Sequence, residues 1–84
     1  MSVNLNSLKC TPEVSESVPN GTWAAVVACA RCYEPDKVPG WNGCHDGQVW
    51  TPEQLTIMAD RLEQTASVIP ILRALAEADG VKIS

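Results

Sequence analysis

Trp50-Thr51-Pro52-Glu53-Gln54-Leu55 opens the stretch whose reading decides the fold, and it reads as a helix start. Thr51 is the N-cap, its hydroxyl placed to accept from backbone N–H groups that a first turn leaves without partners. Pro52 suits the first helical position, where no N–H is needed, and Gln54 can reach back to close a capping box. Glu53 adds negative charge at the positive end of the helix dipole. Beyond it, Leu55, Met58, Ala59, Leu62, Ala66 and Ile69 recur at helical spacing, one apolar stripe along one face. Asp60, Arg61, Glu63 and Gln64 fill most of the opposite face.

Downstream, Pro70 interrupts the stripe, because its ring removes a donor and pushes Ile69 out of the α region. A second helix is predicted from Pro70 to about Ala78, with Ile71, Leu72, Leu75 and Ala78 apolar and an Arg73–Glu77 pair at i,i+4. Gly80 is the expected C′ stop. Val81-Lys82-Ile83-Ser84 then alternates apolar and polar, as a short strand does. Val3-Asn4-Leu5-Asn6 alternates in the same way. Pairing the two would give each a partner, since an isolated ribbon is only marginally stable.

Between these ends, residues 22–32 carry four alanines and read as a helix capped by Thr22, with Trp23, Val26, Val27 and Ala30 on one face. Val26-Val27 leaves a strand as the alternative. Thr11-Pro12-Glu13 resembles the Thr51 start and predicts a short helical turn through Val14. Residues 33–50, with two prolines and three glycines inside them, show no sustained period and read as an irregular loop. Gln48-Val49-Trp50 is a candidate strand at its end. The expectation is one small domain over 1–84, α+β and mainly helical, with two or three helices and a small sheet.

The 84 residues are 45% hydrophobic and 19% charged, enough for a packed core and too short for a second domain. No apolar run approaches the ~20 residues that span a bilayer, and the N-terminus has no signal-peptide pattern. A net charge of −4 with dispersed basic residues argues against direct nucleic-acid binding.

Chemistry concentrates in the middle. Cys29-x-x-Cys32 followed by Cys44-His45 supplies three thiols and one imidazole, a ligand set zinc uses in closed structural sites. The competing reading makes the cysteines small buried hydrophobes, with disulfides third in a reducing compartment. A redox role for the CxxC would need a strand-to-helix junction, and no βαβ unit fits the chain. Cys44-His45-Asp46 are immediate neighbours, whereas catalytic triads assemble from residues apart in sequence. The expectation is therefore not an enzyme, and no cofactor beyond the zinc option. Among the three tryptophans, Trp23 belongs to the helix face and Trp50 to a hydrophobic staple on Leu55 or Ile57. Trp41, in Pro39-Gly40-Trp41-Asn42-Gly43, either plugs a thin core or stands exposed as a binding hot spot. Ile57, with Val68, forms a second strip that could meet the first helix or a second subunit.

The pattern Trp-Thr-Pro-Glu-Gln-Leu-x-x-Met-Ala-x-Arg-Leu (50–62), with Leu72-x-x-Leu75-Ala76-Glu77 and Gly80-Val81-x-Ile83-Ser84, resembles the C-terminal half of small uncharacterised phage, prophage and plasmid proteins. Val3-Asn4-Leu5-Asn6 resembles their N-terminus. The resemblance implies a bacterial cytoplasm and an accessory protein that modifies a host process by binding. The reading is a non-enzymatic interaction protein with an unknown protein partner, Trp41 and Ile57 as contact residues, and a homodimer as one option. A zinc module held by Cys29, Cys32, Cys44 and His45 is the alternative.

Overall fold

In the computed structural model, which describes residues 2–8, 14–41, 43, 47–62 and 66–83, seven elements follow one another along the chain. They are β1 (Ser2–Ser7), β2 (Ser15–Pro19), α1 (Asn20–Tyr33), β3 (Val49–Trp50), α2 (Pro52–Arg61), α3 (Ile69–Glu77) and β4 (Val81–Ile83). The fold is a small α+β domain. Its strands form one antiparallel sheet in the order β2-β1-β4-β3. The two alternating chain ends meet, Leu5 opposite Ile83 and Asn6 opposite Lys82.

Alternation also decides which face is buried. Val3, Leu5, Val18, Trp50, Val81 and Ile83 are buried on one side, against Trp23, Val26, Val27 and Ala30 of α1, Leu55, Met58 and Ala59 of α2, and Leu72 and Leu75 of α3. Ser2, Asn4, Ser15, Ser17, Val49 and Lys82 face solvent on the other side. In the core no polar or charged residue is buried among the described ones, and the indole N–H groups of Trp23 and Trp50 are enclosed without a hydrogen-bond partner. At its centre Trp23 and Trp50 meet edge to face, centroids 5.3 Å apart, an arrangement that the aromatic quadrupole favours.

Local chemistry explains the boundaries. The capping box at α2 forms as the residues require: the Gln54 N–H donates to Thr51 Oγ1 at 3.3 Å, and the Thr51 N–H donates to Gln54 Oε1 at 2.9 Å. α1 differs from its expected start, beginning at Asn20 behind Pro19 with no side-chain cap, so Thr22 lies inside the first turn. Pro19 closes β2 in the same step. The Ser7 N–H donates to the Val14 carbonyl at 3.0 Å. Alternation along the ladder then turns the edge of Ser15, Ser17 and Pro19 outward. The missing donor of Pro19 falls on that free edge, where proline is tolerated.

The long stripe after Thr51 divides earlier than its periodicity suggests. α2 stops at Arg61, Leu62 turns to extended backbone, and Ala66 lies in a turn. Ile69 then opens α3 with Pro70 in its first turn, where an absent N–H costs nothing. Ile69 is thus helical, contrary to the expectation drawn from its proline neighbour. One straight helix would carry its apolar face past the sheet, whereas folding back lets α3 pack against α2. Arg73 reaches across this junction, donating to Asp60 at 2.9 Å, and not along its own helix to Glu77 as expected.

The stop after α3 shifts by one residue. Asp79 holds the left-handed C′ position, with φ 66°, and Gly80 is C″. The Asp79 N–H donates to Ala76 O at 3.3 Å and the Gly80 N–H to Leu75 O at 2.9 Å, a Schellman pair. Of the turn predicted from Thr11 through Val14, residues 11–13 lie outside the described residues, and Val14 is not helical.

Candidate functional site

The 33–50 stretch is tied down more closely than a loop reading implies. Tyr33 ends α1, Val49 and Trp50 form β3, and between them Val38 and Trp41 pack against the core. The Lys37 and Val38 N–H groups donate to Glu34 O at 3.2 and 3.1 Å, and Val38 is buried to 1% exposure. Glu34 accepts from Arg61 of α2 at 3.1 Å. Farther on, Gln48 Nε2 donates to the Gly40 carbonyl at 2.7 Å, which pins the residue ahead of Trp41.

Trp41 consequently lies against the protein. It is half-buried and packed on the core cluster, with Nε1 enclosed and without a hydrogen-bond partner. Of its two expected roles, it meets the core at one face, and its remaining surface forms one wall of a groove of about 210 Å³. The other walls are Ala24, Val27, Ala28 and Arg31 of α1, and Gly40.

The helix beneath this groove has an unusual outer face. Gly21, Ala24, Ala25, Ala28, Arg31 and Cys32 are exposed along α1, and Arg31 is the one charged residue in its 14 residues. A surface helix ordinarily sets charged and polar residues opposite its core stripe. Arg31 has a local rationale in the last turn, where a cation complements the dipole. Its head group lies over the loop, since a Cβ on Gly40 would sit 2.8 Å from Arg31 Nη1. Among the described residues Arg31 has no hydrogen bond or ion pair, while Arg61 and Arg73 are engaged by Glu34 and Asp60.

Cys29 and Cys32 both lie in the last turns of α1, Cys29 half-buried against the core and Cys32 exposed, and both are free thiols. They are one turn apart, on adjacent sides of the helix. Cys44 and His45 lie outside the described residues. No group of three metal-ligating side chains occurs among the described ones. Ile57 is half-buried against the core, and its strip partner Val68 is claimed by the core at 2% exposure.

Sequence reasoning missed Arg31 and the alanine face. The available signal was a 14-residue helix with one charge and alanines outside its core stripe. No helix among the described residues is long and apolar enough to cross a membrane. Comparison with family models, curated proteins and solved structures finds no match.

Proposed function

We propose that this chain is a non-enzymatic protein-interaction protein, a phage or mobile-element accessory factor that binds a host protein in the bacterial cytoplasm. The observation that supports it is the outer face of α1. Its small side chains run beside Trp41 over a groove, where a tryptophan can anchor a contact while a flat helix face admits the partner closely. A groove of about 230 Å³ between α2 and α3, lined by Pro52, Thr56, Arg73, Ala76 and Glu77, carries no aromatic side chain, and its arginine is already engaged by Asp60.

The test is affinity capture from host lysate with the intact chain and with Trp41→Ala as parallel baits. A protein retained by the first and lost by the second, with the variant's circular dichroism unchanged, supports the reading. Equal capture by both baits overturns Trp41 as the anchor.

Zinc binding is the second reading, favoured by the Cys29–Cys32 spacing at the end of α1 and needing Cys44 and His45 to complete four ligands. Native mass spectrometry with added zinc decides it. A stoichiometric adduct abolished by Cys29→Ser supports the module, and no adduct removes it.

A further inference from the structure

We propose that the groove between α1 and Gly40-Trp41 receives an acidic peptide segment of the partner, its carboxylate pairing with Arg31 and its apolar side chains lying over Ala24 and Ala28. The proposal rests on the interaction reading above and specifies its occupant.

Size sets the first constraint. About 210 Å³ of space is below the ~300–1,000 Å³ typical of small-molecule pockets and suits one or two side chains of a polypeptide. Charge sets the second. The chain carries a net charge of −4, yet none of the six groove residues is acidic. The arginines at 61 and 73 are neutralised within the molecule at 3.1 and 2.9 Å. Arg31 has no such partner among the described residues, and its planar guanidinium offers the donor fork that a carboxylate accepts in two parallel bonds.

The surroundings leave room for that fork. Gly40 has no side chain where the guanidinium rests, and its carbonyl is fixed by Gln48 at 2.7 Å. The alanines at 24 and 28 add no long side chain that would keep a partner backbone away. A cation beside an apolar floor and an indole matches a peptide with Asp or Glu next to aliphatic or aromatic residues. A basic segment would meet Arg31 with no acid among the described groove residues to offset it.

The experiment is selection of a displayed library of random twelve-residue peptides on the immobilised intact chain, followed by titration of the best synthetic peptide. Enrichment of Asp or Glu beside apolar residues is expected, with amide shifts confined to residues 24–31 and 40–41. Arg31→Glu should weaken that peptide at least tenfold, Arg31→Lys less, and added salt should weaken it in step. Gly40→Ala, which displaces the guanidinium while keeping its charge, should also weaken it. Selection without acidic enrichment, or an unchanged affinity in natively folded Arg31→Glu, overturns the proposal. So does peptide binding that maps elsewhere, or self-association of the chain through this face. Trp41-dependent capture from lysate alongside a failed selection would leave the interaction reading standing and remove this occupant alone.

Discussion

Gly80 carries more of the fold than its size suggests. Its φ of 110° lies where side chains strain the backbone, and a Cβ there would approach the Trp50 carbonyl to 2.5 Å and Leu8 Cδ1 to 3.1 Å. The glycine lets α3 end, β4 begin and β3 pass close by, all within one residue. Gly80→Ala should therefore destabilise by at least about 1–3 kcal/mol from conformation alone, with the backbone clash adding to it. Urea unfolding monitored by tryptophan fluorescence measures this; a midpoint equal to wild type would remove the argument. Sequence placed a glycine stop here and misassigned its position. Composition favours Gly at C′, but the hydrogen bonds put Asp79 there, because asparagine-like side chains tolerate the left-handed region and the tighter contact needed the glycine.

At the scale of elements, legibility follows the range of the forces involved. The start of α2 was readable because a capping box joins residues three apart, Thr51 and Gln54, with no help from the rest of the chain. The Trp23, Val26, Val27 and Ala30 face of α1 was readable by the same period. β2 was not. Its five residues contain one buried side chain, Val18, and owe their strand form to register with β1, Val3 against Val18 and Asn4 against Ser17. That pairing spans a connection no local pattern encodes, and Thr11-Pro12-Glu13 offered a competing helical signal. The groove was likewise hidden, since Trp41 and Arg31 meet only after the loop folds back. For the readable part, Thr51→Ala should cost about 1 kcal/mol, within the ~0.5–2 observed for caps. Gln54→Ala made in the same background should add less than it does alone, because the two bonds form one unit. Chemical denaturation of the single and double variants tests this, and strict additivity would mean that the box is not cooperative.

For the whole molecule, the deciding feature is that the last strand is not at an edge. β4 lies between β1 and β3, so three residues at the C-terminus join both halves of the sheet. Val81 and Ile83 also enter the core at 0% and 4% exposure, and Trp50 pairs directly with Val81. Deleting residues 81–84 would strip the only strand partner that β3 has among the described residues, loosen Trp50 from Trp23, and uncover the inner edge of β1. Each large buried side chain lost costs about 2–5 kcal/mol, against a total stability of about 5–15 kcal/mol for small domains. The truncated chain should lose its cooperative thermal transition and the near-ultraviolet signal of its packed tryptophans. Lys82→Ala, on the solvent face of the same strand, should move stability by no more than about 0.5 kcal/mol. The contrast separates the strand's buried role from its surface chemistry: a truncated chain that still melted cooperatively, with its tryptophan spectrum intact, would show that the helices and β1–β2 hairpin hold the core without the joined chain ends.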